Sequence, residues 1–178
     1  FSRAACNFTF PESIQRPVPD KHVLENEDDV NEEVLDNIST GQITVDNTGK
    51  PPEEGIEINS TYGRRIEIAM EEVNRKIEGT NVSQYLSRDA LPEYSPKFAK
   101  VLENVMEPTN VGLHLLYSHF RTMEGIGLMR LILLANGMAE FKIKHEGERW
   151  VLDIAEEDME KPKFVLYTGT ESADVKEI

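Results

Sequence analysis

The stretch Val111-Gly112-Leu113-His114-Leu115-Leu116-Tyr117-Ser118-His119-Phe120-Arg121-Thr122-Met123-Glu124-Gly125-Ile126-Gly127 constrains the fold more than any other part of the chain. Residues 113–117 are apolar at nearly every position, as strands covered on both faces are. A short polar loop follows. Residues 126–135 are then apolar almost all round, with Arg130 as the one charge, and predict a buried helix stopped by Asn136-Gly137. A strand that breaks into a loop and enters a helix is the junction at which open parallel sheets hold ligands, beyond the carboxyl end of the strand. A site is expected to start here.

The remaining elements follow from periodicity and breakers. Ile66, Ala69, Met70, Val73 and Ile77 recur at helical spacing over residues 64–77, with Glu71 to Arg75 and Glu72 to Lys76 as supporting i,i+4 pairs. Ser95 as N-cap and Pro96 at the first helical position open a second helix, whose stripe is Phe98, Val101, Leu102 and Val105. Residues 138–143 and 164–167 predict strands, and 149–154 a further one inside the charged stretch 144–162. Residues 7–10 predict a short strand, followed by an extended connection through Pro11, Pro17 and Pro19. Helix, strand, helix, strand, strand, helix with short loops is the order of an α/β layer, here part of a doubly wound parallel sheet. Segments 113–117 and 164–167 are expected in one parallel sheet, with the helix 126–135 packed on it.

Charge is unevenly spread. The net formal charge is -14, yet residues 25–60 hold eleven acidic residues and one basic residue, Lys50. That stretch has too little apolar content to offset the entropy of ordering, and reads as an acidic, flexible surface insert. Between Lys97 and Lys144 there are six Lys or Arg against four Asp or Glu, so the acid lies away from the candidate site. A nucleic-acid partner is therefore compatible with the overall charge.

The single cysteine, Cys6, cannot form an internal disulfide, and no Cys/His spacing suggests a metal site. That usage fits a reducing, intracellular compartment. No run of about 18 apolar residues occurs, so no membrane partner is expected. The chain opens on Phe1 and stops in what reads as the start of a helix, which suggests part of a longer protein.

Three blocks carry a resemblance: Tyr94-Ser95-Pro96-Lys97-Phe98, then Leu113 through Gly125, then Leu166-Tyr167-Thr168-Gly169-Thr170-Glu171-Ser172. Together they resemble the superfamily 2 helicases of large nucleocytoplasmic DNA viruses, relatives of the Swi/Snf motors and of the poxvirus transcription ATPases. The resemblance covers about residues 94–178, and residues 1–19 look like the segment preceding the second lobe in such proteins. It implies a partial RecA-like, P-loop NTPase-type α/β fold. The division it suggests is an extended segment over 1–24, the acidic insert over 25–63, an amphipathic helix and connection over 64–91, and the first part of a C-terminal RecA-like lobe over 92–178.

In such motors two lobes close on ATP and on a nucleic-acid strand. The resemblance implies ATP and Mg2+ as cofactors of the intact protein, none of them bound by this stretch alone. It also implies a nucleic-acid partner, with DNA favoured over RNA and the choice between them left open, the first RecA-like lobe as neighbour, viral transcription machinery as context, and the host cytoplasm or the virion as location. No phosphate-binding loop ending in Gly-Lys-Thr/Ser is present, since Gly49-Lys50 is followed by Pro51, and no Asp-Glu-x-His/Asp box follows a strand. By itself the chain is expected not to hydrolyse ATP, and no catalytic residue is assigned.

The expected nucleic-acid-binding residues are Ser118, Arg121, Thr122, Thr168, Gly169 and Thr170. Arg121 offers a fork of donors suited to a bridging phosphate, though a surface ion pair with Glu124 is the plain alternative. Ser118 and Thr122 can donate to phosphate or cap free helix amides. Gly169 removes the side chain that would block close approach to the amides of its turn, while a capped turn is the simpler reading. His119 reads as a solvated loop residue, and His114, Tyr117 and Phe120 as core. Two other functions stay open: a non-catalytic module that docks nucleic acid or transcription partners, and an α/β domain holding a phosphorylated metabolite at the Thr168 turn.

Overall fold

A computed structural model describes residues 6–18, 55–120, 123–147 and 149–167. Helix α1 spans Gly55–Val73, α2 Leu91–Tyr94, α3 Pro96–Met106 and α4 Ile126–Ala135. The strands are β1 Ala139–Glu140, β2 Ile143–Glu146, β3 Arg149–Leu152 and β4 Lys163–Phe164, with one 3-10 turn at Glu156–Asp158 before β4. β1 and β4 pair in parallel, Ala139 opposite Lys163, while β2 and β3 form an antiparallel hairpin. The chain is thus a mix of helices with a small parallel sheet and an antiparallel pair.

Local chemistry explains the helix ends. Ser95 closes α2 by donating its amide to Leu91 O at 2.8 Å, and opens α3 by accepting from Phe98 N at 3.0 Å through its hydroxyl. Pro96 follows at the first helical position, where its missing amide costs nothing. α4 ends where expected: Gly137 takes φ 86°, and Asn136 carries the stop further. The Asn136 side chain donates to Ile132 O at 2.7 Å and to Leu86 O at 2.8 Å, and accepts from Arg88 N at 2.9 Å. The helix end is thereby stitched to the loop before α2.

One core gathers α1, α3, α4 and the amino-terminal segment. Val73, Leu86, Leu91, Leu102, Leu128 and Ile132 are fully buried together with Phe8. Each contributes on the order of 1.5–3 kcal/mol by leaving water. Phe8 packs edge-on against Phe10, and Tyr85 edge-on against Tyr94, both with ring centroids 5.4 Å apart. Burial pushes the Tyr94 phenol above its ordinary range, with the neighbouring Glu93 charge acting in the same direction.

Several expectations are corrected. Residues 113–117 form no strand, and among the described residues their backbone groups pair with nothing. Leu113 and Leu115 are fully exposed, and Val111 and Tyr117 nearly so. A run apolar on both faces needs a neighbouring strand on each side and a layer above and below, and the described sheet, two residues deep, supplies neither. His114 and Tyr117 are consequently surface residues rather than core, and Phe120 is half-buried.

Other boundaries shift. Residues 7–10 form no strand; a single backbone bond, Thr9 N to Tyr94 O at 2.8 Å, ties them to α2. α1 starts at Gly55 and ends at Val73, where the chain turns into a loop closed by Ile77 N to Val82 O and Gln84 N to Arg75 O. Ile77 is exposed there, and Arg75 pairs with Glu72 at i,i+3. The strand expected over 138–143 splits into β1 and the start of β2, and that over 164–167 shortens to Lys163–Phe164.

Candidate nucleic-acid interface

The loop that enters α4 is fixed at its stem by contacts from two distant parts of the chain, the amino-terminal segment and α1. Ile126 N donates to Phe120 O at 3.0 Å, closing residues 120–126 into a ring. Gly125 sits so close to that carbonyl that a Cβ would lie 1.8 Å from Phe120 O. Only glycine fits. Met123 is buried beside Ile66, Phe10 and Met70.

Glu124 is the centre of a buried polar network. Its carboxylate accepts from Nε and Nη2 of Arg16, the latter at 3.2 Å, and its carbonyl accepts from Asn7 Nδ2 at 2.9 Å. Asn7 Oδ1 in turn accepts from Lys97 Nζ at 2.7 Å, and the Ser95 hydroxyl donates to Asn7 O. Buried charge persists where a partner and further hydrogen bonds satisfy it, and both are present. Glu124 is therefore a buried internal anchor paired with Arg16 rather than a surface carboxylate.

Of the expected contact residues, Ser118 is half-buried, and its hydroxyl accepts from Phe120 N at 3.1 Å, which shapes the turn into the loop. Arg121, Thr122, Thr168, Gly169 and Thr170 lie outside the described residues. His119 is exposed, as expected, and stands edge-on to Phe120 at 5.8 Å.

The topology around the loop is defined by α4, β1 and β4. α4 returns through the turn at 136–138 into β1, and Arg130 in mid-helix pairs with Glu140 on β1, Nε to Oε2 2.7 Å. Lys142 shares the same carboxylate at 3.3 Å. Because β1 and β4 are parallel, the residues that follow them leave at one edge of the sheet.

Among the described residues no group of three or more His, Cys, Asp or Glu could hold a metal ion, and no helix is long and apolar enough to cross a membrane. No family model, no curated protein and no solved structure matches the chain. Sequence reasoning missed Asn7, Arg16 and Lys97. Nothing local signals them, since Asn7 and Arg16 reach partners about a hundred residues away.

Proposed function

We propose that this chain is part of the second RecA-like lobe of an ATP-dependent viral helicase or translocase, gripping a nucleic-acid strand through Ser118, Arg121, Thr122, Thr168, Gly169 and Thr170. The observation that carries the reading is the anchored loop. Met123, Glu124 and Gly125 are buried, and Phe120 O accepts from Ile126 N, so the described stem of the loop is a fixed frame. Rigid support is what a phosphate-binding loop needs, because a side chain already held in place loses less entropy on binding. The parallel β1–β4 pair supports the same reading, since Thr168, Gly169 and Thr170 follow β4 closely in sequence. In the intact protein, ATP and Mg2+ would act at the junction with the first lobe; here Arg121 supplies charge and the Thr168-Gly169-Thr170 amides supply donors to phosphate.

A second reading, a non-catalytic docking module, draws on the exposed strip of Val111, Leu113, Leu115, Leu116 and Tyr117. Contiguous apolar surface of this kind marks protein contact sites. One titration separates the two. Binding of a labelled oligo-dT strand about twenty nucleotides long is followed by anisotropy against salt. The motor reading requires measurable affinity, and a salt slope that falls by about one phosphate contact in Arg121→Ala. No binding by the unmodified chain, or an unchanged slope in Arg121→Ala, leaves the docking reading.

A further inference from the structure

Two stretches without helix or strand of their own satisfy each other. Residues 7–16 are irregular, and Met123, Glu124 and Gly125, the stem before α4, form a turn. Phe10 packs on the pair of Met123 and Ile66, and the Arg16 guanidinium answers the Glu124 carboxylate. Asn7, itself buried, spans the junction: Nδ2 donates to Glu124 O at 2.9 Å while Oδ1 accepts from Lys97 Nζ at 2.7 Å. A primary amide can turn a donor to a carbonyl and an acceptor to an ammonium at once. Aspartate would set oxygen against Glu124 O, and leucine would leave that carbonyl without a donor.

Burial makes the dependence mutual. Glu124 stays out of water because Arg16 and Asn7 meet its charge and its carbonyl. Without the segment a buried, unpaired carboxylate would remain, and the stem would open to hydrate it. With the stem open, Asn7 and Arg16 lose those partners in turn. Segment and stem are therefore favoured in two joint states, both held or both loose.

We infer that the amino-terminal segment is the positioning element of the loop before α4, with Asn7 as the residue that sets it, so that the two order and loosen together. The functional step rests on the reading of that loop as a strand grip. A held stem presents the loop with less entropy to lose, so a bound strand favours the held state and tightens the segment. By reciprocity a held segment strengthens the grip by the same factor. Displacing residues 7–16 would thus weaken nucleic-acid binding with every contact residue intact.

Amide hydrogen exchange on the full chain, followed by NMR, reads both halves. The Thr9 amide, bonded to Tyr94 O, reports the segment, the Ile126 amide, bonded to Phe120 O, reports the stem, and the amide of Ile132, fully buried in α4, reports the core. Asn7→Leu, which adds no charge, and Gly125→Ala, which strikes the stem alone, should each speed Thr9 and Ile126 together by about tenfold or more while Ile132 changes less. Exchange quickened only at the altered end, or equally at all three amides, would overturn the proposal. A second measurement needs no variant: saturating oligo-dT should slow the Thr9 amide of the unmodified chain by about threefold or more. Binding of oligo-dT that leaves Thr9 exchange unchanged would also overturn it. Should oligo-dT not bind, the strand-grip reading fails by itself, and the two variants still decide whether segment and stem move as one.

Discussion

Arg16 and Glu124, 108 residues apart in sequence, meet as a two-pronged ion pair in which Glu124 keeps only 4% of its side-chain surface. Removing one partner of a fully buried pair costs about 3–5 kcal/mol, and Arg16 retains some solvent, which lowers the figure. Glu124→Gln and Arg16→Met should each lower the unfolding free energy in urea by about 2–3 kcal/mol. The double variant should lose less than the sum of the two. Losses near zero for both single variants would place the pair with ordinary surface bridges.

Gly125 and Gly137 should answer alanine differently. At Gly137 the cost is conformational alone, since φ is 86° and nothing lies within 4 Å of a Cβ, so about 1 kcal/mol is expected. At Gly125 the new methyl collides with Phe120 O, a backbone atom that Ile126 N also holds. Gly125→Ala should be the more damaging by at least about 1 kcal/mol, and the same urea titration ranks the two. The reverse order would mean that the loop stem yields easily.

The strip at 111–117 should behave as surface in this chain. Leu113→Lys and Leu115→Lys bury no charge, so the melting temperature should stay within about 2 °C. Concentration-dependent association, read by light scattering, should fall, because a lysine on an unpaired extended segment blocks edge pairing. A marked drop in melting temperature would show that the run is covered in solution.

Alkaline pH should loosen the hairpin. Hydrogen bonds and charge from Glu146, and then from Asp153, hold the Lys144 ammonium above the ordinary lysine range. A lysine raised in the folded state contributes fully at and below neutral pH, and its contribution is lost as pH climbs past that range. Trp150 emission should therefore shift over that alkaline interval more in the unmodified chain than in Lys144→Met. Identical titrations would show that the pairs do not steady the hairpin.

Legibility in the sequence followed how local each cause is. α4 was readable to the residue, because its period, its apolar content and the Asn136-Gly137 stop all lie within a dozen positions. Ser95 and Pro96 announced α3 in the same way. Segment 113–117 was misread because an apolar run states that it can be covered, not that a neighbouring strand is at hand. Glu124 is the opposite case: its burial and its pairing with Arg16, 108 residues away, are visible only after the chain has folded back. Of the candidate site, the loop position was legible, and the network that steadies it was not.

The amino-terminal segment meets the rest of the molecule through Phe8, Ile14, Asn7 and Arg16, with the Thr9 to Tyr94 backbone bond between them. Covalent continuity through residues 19–54 keeps that peptide at a high effective concentration but supplies none of these contacts. A protease cut anywhere in that stretch would turn an intramolecular contact into a bimolecular complex with a dissociation constant of its own. Dilution, which leaves the melting of an uncut monomer untouched, would then lower the melting temperature of the nicked one.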